Sequence, residues 1–225
     1  MVDIFDEVDE ELRAERAQRW LRRNGWMIVV AAVLIVAGTG AWQAWRWWET
    51  KQEMAAAESF LGALRAVDAL VPAGPPEARA EARMGAARGL EQVAASAPAG
   101  YRTLARLRAA GLRAAAGDRA ASLGLLDAVA ADGGADPVLR DYASLLWVQY
   151  QVDDGDAARL RARLAPLSQP ENAWSALARE AEAMIALRLG QGEEARKILR
   201  PLAADARAPE GVRRRASLLL GQPGQ

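Results

Sequence analysis

From Gly25 to Ala44 the chain reads GWMIVVAAVLIVAGTGAWQA, twenty residues without one charge. At 1.5 Å per residue, a helix of that length covers about 30 Å, the thickness of a bilayer's hydrocarbon core. Only a helix suits such a stretch, because lipid leaves every exposed backbone N–H and C=O unsatisfied. Six of the eight tryptophans bracket it: Trp20 and Trp26 at the start, and Trp42, Trp45, Trp47 and Trp48 at the end. Indole rings favour the headgroup boundary, so these six read as membrane-interface residues. A buried core helix would rarely be so long, charge-free and flanked by tryptophan. A cleaved signal peptide is the alternative, with Gly38-Thr39-Gly40 as a small-residue cleavage point. Its apolar region should be shorter, however, and its leader short and basic. The stretch is read as an uncleaved anchor.

Orientation follows from the positive flank. Arg13, Arg16, Arg19, Arg22 and Arg23 precede the stretch, whereas only Arg46 and Lys51 follow it closely. Basic residues stay on the cytoplasmic side, which predicts an N-terminus inside and a C-terminal domain outside the cytoplasm; at the inner membrane of a Gram-negative bacterium, that means the periplasm. The leader opens with Asp3, Asp6, Glu7, Asp9, Glu10 and Glu11, and its arginines come later, an order that suits a helix dipole. Ile4, Val8 and Leu12 form a narrow apolar stripe. It reads as a short solvated helix, with a cytosolic docking handle as the functional alternative.

After Thr50 nothing has a strand pattern. Apolar residues recur at helical spacing and break at glycine or proline. A first helix continues through Ala55–Leu70, VPAGPP (71–76) ends it, and a second covers about Glu77–Ala95. A period then emerges. Gly117-Asp118, Gly155-Asp156 and Gly190-Gln191 interrupt the pattern as tight helix–helix turns would. Nine residues beyond the glycines lie Leu126, Leu164 and Leu199, and twelve beyond lie Val129, Leu167 and Leu202. Seven residues before them lie Ala110, Val148 and Ala183, and five after them Ser122, Leu160 and Ala195. Pro137, Pro170 and Pro209 then restart the next pair, where a missing N–H costs least. Glycine spacings of 38 and 35 residues with this layout point to degenerate tetratricopeptide repeats.

The predicted fold is therefore all-α: a single N-terminal transmembrane helix followed by a tetratricopeptide-like right-handed stack of antiparallel helix pairs. Residues 1–24 form a cytoplasmic segment, 25–45 the transmembrane helix, 46–98 a membrane-proximal helix pair, and 99–225 the repeats. Val212–Leu220 closes the stack as a capping helix, and its Arg213-Arg214-Arg215 run reads as a solvated face.

Chemistry is sparse. The chain has no cysteine and no histidine, which excludes disulfides, thiolate nucleophiles, imidazole bases and His/Cys metal sites. Acidic and basic residues balance at 29 each, so no global basic field draws nucleic acid. The carboxylate pairs Asp153-Asp154 and Glu193-Glu194 sit at turns, and neighbours on a helix do not face each other. No catalytic, metal or cofactor residue is assigned, and no small-molecule substrate is expected. Stacked helix pairs instead create a concave protein-binding surface. If the first helix of each pair lines it, Tyr101, Arg108, Tyr142, Trp147, Tyr150 and Trp174 are the candidate partner contacts. Large aromatics at helical spacing are also common core residues, which is the competing reading.

The start MVDIFDEVDEELRAERAQRWLRRNGW and the stretch AAGDRAASLGLLDAVAADGGADPVLRDYASLL resemble an alphaproteobacterial tetratricopeptide-repeat-like family, similar to the ancillary subunit of the SecYEG translocon. The resemblance covers essentially the whole chain. It implies an inner-membrane protein beside the translocon that associates with a membrane-anchored periplasmic chaperone and helps to hand over exported chains. A related link to a coordinator of cell division leaves open a structural scaffold for an envelope machine, in division or outer-membrane assembly. The resemblance carries over no catalytic residue.

Overall fold

A computed structural model describes the backbone of residues 4–69 and 76–221, with side-chain surroundings for 24–27, 29–65 and 76–221. Within these residues all regular structure is helical. The helices are α1 (Ile4–Ala69), α2 (Pro76–Ser96), α3 (Ala99–Ala115), α4 (Arg119–Ala130), α5 (Pro137–Gln149), α6 (Ala157–Leu164), α7 (Ser175–Arg188), α8 (Gly192–Ala204) and α9 (Glu210–Gly221). Of the predicted breaker at 71–76, Pro76 is the first residue of α2 and 71–75 lie outside the described residues, as do the side chains of Trp20, of Arg13, Arg16, Arg19, Arg22 and Arg23, and of the Ile4–Leu12 stripe.

The chain forms two compact units, Met1–Gln52 and Glu53–Gln225. In the first, α1 carries the charge-free stretch. It is long and apolar enough to cross a membrane, with a mean hydropathy of 1.9 and none of that window buried. Val33, Leu34, Ile35 and Val36 are each more than half exposed. Thr39 spends its hydroxyl on the carbonyls of Ile35 and Val36, which satisfies the one polar side chain in mid-stretch. After it, Arg46 lies over Trp42 and Lys51 over Trp47, at 4.5 and 4.2 Å from the ring centroids.

In the second unit, consecutive helices pack on each other from α2 to α9, and α5 also touches α7, as α7 touches α9. This is the pattern of stacked helix pairs, with α3, α5 and α7 opening successive pairs and α9 closing the stack. Every predicted repeat position is buried. Leu126, Leu164 and Leu199 are at most 1 % exposed, and Val129, Leu167 and Leu202 at most 3 %. The small residues Ala110 and Ala183 are fully buried, and the larger Val148 fills the same position in the middle pair, also fully buried. Where Leu160 replaces a small residue, it too is buried.

The turn glycines divide into two kinds. Gly117 and Gly190 have φ of +87° and +72°, the left-handed region that side chains resist. Each ends its helix in a Schellman motif. Gly117 N–H donates to Ala114 O and Asp118 N–H to Arg113 O; Gly190 N–H donates to Leu187 O and Gln191 N–H to Ala186 O. Asp118 then caps α4, its Oδ1 accepting from Ala121 N–H at 3.2 Å, so one Gly-Asp dipeptide closes one helix and opens the next. Gly155 is different. Its φ is not positive, and α5 ends in a slower turn in which Gly155 N–H donates to Gln151 O. Glycine is needed there for space: an added Cβ would lie 2.8 Å from that carbonyl.

The proline reading needs one correction. Pro137 does open α5, with Asp136 as cap, and Pro209 directly precedes α9. Pro170 starts no helix. It lies in the long turn between α6 and α7, five residues before Ser175, where Asn172 Oδ1 accepts from Trp174 N–H and organises the chain instead.

Candidate functional site

The repeats are bound to each other by polar contacts spaced one period apart. Arg119 makes a two-pronged bond to Asp154, Nη1 donating to Oδ2 at 2.6 Å, 35 residues along the chain. Arg163 donates to Asp127, 36 residues back, and Arg188 to Gly155 O, 33 back. Trp174 Nε1 donates to Val138 O across 36 residues, and Arg215 clamps Glu180 across 35. The period seen in the glycines thus reappears as a ladder of inter-repeat bonds.

These contacts decide the fate of the candidate residues. Trp147 is only 3 % exposed, so it cannot serve as a partner contact. Its ring sits in the main apolar cluster, with Nε1 donating to Asp127 and the Arg159 and Arg163 guanidiniums stacked over it at 4.8 and 4.3 Å. An indole satisfied by a carboxylate and covered by two cations is a core pillar. Tyr150 is half-buried against the same cluster, and burial raises its hydroxyl above the usual tyrosine range. Tyr142 and Trp174 stack at 4.8 Å and are half-buried, a pair that fastens the α6–α7 turn to α5. Tyr101 is half-buried with its ring 6.0 Å from Phe60. Arg108 is exposed.

The triple arginine is not simply a solvated face. Arg214 is exposed, but Arg213 donates to Ala206 O and Ala208 O, and Arg215 grips Glu180. Of the four adjacent carboxylates at the turns, three are held in ion pairs. Asp154 is taken by Arg119, Glu193 bonds Arg196, and Glu194 faces Arg161 at 3.5 Å. Among the described residues no group of carboxylates is placed to hold a metal ion.

A surface signal that aromatic composition missed comes from register. Counted back thirteen residues from the turn glycines lie Leu104, Tyr142 and Leu177; six back lie Gly111, Gln149 and Met184; three back lie Ala114, Val152 and Leu187. These are equivalent positions on α3, on α5 and the turn that follows it, and on α7. Leu104, Met184 and Leu187 are 41 %, 41 % and 39 % exposed, unlike the fully buried leucines of the second helices. Among these positions, α3 and α7 therefore present aliphatic side chains to solvent.

A family model described as tetratricopeptide repeat-like domain matches residues 18–214. The chain belongs to this family. Tetratricopeptide-like domains are generally non-enzymatic protein-binding scaffolds, so this one is a protein-interaction module with protein partners. No curated protein and no solved structure matches the chain significantly.

The Arg119–Asp154 tie has a pH signature. Arg119's hydrogen bonds hold the Asp154 carboxyl below the usual aspartate range. A lowered carboxyl stabilises the fold above its unfolded value, about 4, and loses that contribution as pH falls through the lower folded value. The thermal midpoint of Asp154→Asn should therefore lie below wild type at pH 7. The gap should narrow as pH drops below about 4. Both groups are well exposed, so the gap is small.

Proposed function

We propose that this chain is a membrane-anchored periplasmic binding module that serves as an ancillary subunit of the Sec translocon, linking it to a periplasmic chaperone and to emerging exported chains. The observation that carries the reading is the coupling of two parts in one chain: a charge-free helix of membrane length, and a tetratricopeptide-like stack with exposed aliphatic side chains on α3 and α7. Anchoring holds such a surface at high local concentration beside membrane partners. The arginines at 13, 16, 19, 22 and 23 support an inside N-terminus, and hence a periplasmic stack. The tryptophans around the stretch support seating at the two headgroup layers. On this reading Arg108, Tyr142 and Trp174 lie along the binding face, with Tyr101 and Tyr150 at its edge.

Photo-crosslinking in living cells from a probe at Leu104, together with a reporter fused to the C-terminus, tests this. Translocon subunits and nascent exported chains are the expected adducts, with the reporter active in the periplasm. Adducts confined to division or outer-membrane assembly components would replace the translocon role with an envelope scaffold. A reporter active only in the cytosol would overturn the topology.

A further inference from the structure

At the end of the charge-free stretch, cations and indoles are paired in a collar around α1. Trp42, Trp45, Trp47 and Trp48 are each more than half exposed. At about 100° per residue they point in four directions around the helix. Trp45 and Trp48 lean on each other, with ring centroids 6.1 Å apart. Each of the other two lies under a cation, the Arg46 guanidinium over Trp42 and the Lys51 ammonium over Trp47. These cations sit about 140° apart round the axis, so they make two separate clamps.

The direction in which each cation turns matters. Both reach back four residues, toward the charge-free stretch, as helical side chains tilt toward the N-terminus. Glu49, three residues beyond Arg46, is spaced to pair with it, yet the guanidinium lies on Trp42 instead. Among the described residues neither Arg46 nor Lys51 forms a salt bridge, and neither Trp42 nor Trp47 spends its indole N–H on a hydrogen bond. Positive charge is thus held at the bilayer end of the segment. Glu49 and Glu53 lie about 8 and 14 Å past Ala44 along the axis, away from the apolar stretch. A ring face holds a cation through its quadrupole and leaves the charge whole. Each clamp therefore offers a full positive charge and an indole N–H at headgroup level.

We propose that the collar selects anionic glycerophospholipid headgroups in the leaflet it enters, an inference that rests on the membrane-anchored reading above. The matching group is a phosphodiester, whose oxygens accept from the guanidinium or ammonium and from the indole N–H. A headgroup of the phosphatidylglycerol kind brings that charge with no ammonium of its own. A zwitterionic headgroup carries an ammonium that competes with Arg46 and Lys51 for the same phosphate. Contact with the indole fixes each cation before lipid arrives, which lowers the ordering cost of binding. Exposed indoles in four directions suit an annulus of lipid, whereas a neighbouring helix would cover one side.

The test reconstitutes the full-length protein in vesicles and reads tryptophan fluorescence. Trp20→Phe with Trp26→Phe serves as the background, so that signal from membrane level comes from the collar alone. Lipid brominated high on its acyl chains quenches the indoles it touches. Brominated phosphatidylglycerol in plain phosphatidylcholine is compared with brominated phosphatidylcholine in plain phosphatidylglycerol, at equal bromolipid content. Phosphatidylglycerol should associate with the collar about fivefold more strongly, the worth of one cation at an anionic surface. Arg46→Gln with Lys51→Gln should bring that ratio to about one. Lys197→Gln with Arg200→Gln, exposed cations of the stack, should leave it unchanged. Trp42→Phe with Trp47→Phe removes the two N–H donors and should roughly halve it, with Trp45 and Trp48 as reporters.

Equal quenching in the two mixtures overturns the inference. So does a preference that survives Arg46→Gln with Lys51→Gln, which would assign it to the arginines of the leader. A ratio untouched by Trp42→Phe with Trp47→Phe overturns the paired clamp. In each of these results the collar still meets lipid, so the anchored reading stands. No quenching by either bromolipid would mean that no bilayer reaches the collar, and the anchored reading would fall as well.

Discussion

Replacing Leu34 and Ile35 with arginine should move the full-length protein from the carbonate-resistant membrane pellet into the supernatant. Both side chains are 66 % exposed, in a window with nothing packed over it. Water is a poor solvent for such a face, at a cost of about 1.5–3 kcal/mol for each large aliphatic side chain. Lipid removes that cost. Mid-span arginine reverses the balance by about 2.5–3.5 kcal/mol per residue, so the pair removes roughly 6 kcal/mol, or more than four decades in the insertion equilibrium. Leu34→Ala with Ile35→Ala should stay in the pellet, because alanine carries no charge to desolvate. Extraction of the wild-type protein by carbonate would show that no bilayer covers these residues.

The second large effect concerns the stack. Leu164→Ala should lower stability by about 3 kcal/mol, within the range for a buried leucine whose surroundings cannot collapse into the cavity. Leu164 is completely buried at the end of α6, in the cluster that also holds Val148, Leu160, Leu167 and Ile185. For a domain of this size, each kcal/mol shifts the thermal midpoint by about 2–4 °C, so a fall of roughly 6–12 °C is expected by differential scanning calorimetry. Leu104→Ala offers the contrast. At 41 % exposed it loses little burial, and its midpoint should move by less than about 2 °C. A Leu164→Ala midpoint equal to that of Leu104→Ala would mean that the repeat register does not define the core.

The two variants also separate what each helix of a pair does. Second helices supply the leucines that weld one pair to the next, and first helices supply the face that remains open. A stack built this way is held by neighbour-to-neighbour terms, so a cavity at one junction is felt locally before it is felt by the whole array. The polar ladder from Arg119 to Arg215 acts at the same junctions. Its exposed members contribute orientation more than energy.

Much of this was legible from periodicity. Burial at nine and twelve residues beyond each turn glycine follows from 3.6 residues per turn, and the helix ends follow from Gly-Asp chemistry at 117–118. Uncharged length alone marks the stretch from Gly25 to Ala44 as apolar enough for a bilayer, since the test is a count of residues. Three features were decided only once the chain was folded. Trp147 is core because Asp127, 20 residues earlier, accepts its indole N–H, and two arginines from α6 cover its ring. Arg215 is a clamp because Glu180 lies buried 35 residues away, and a buried carboxylate must find a cation. Gly155 keeps glycine for space rather than for φ, because the Gln151 carbonyl folds back against it. Local pattern determines which face of a helix turns inward. Which partner a charged or aromatic side chain meets there depends on non-local packing, and only the tertiary structure supplies it.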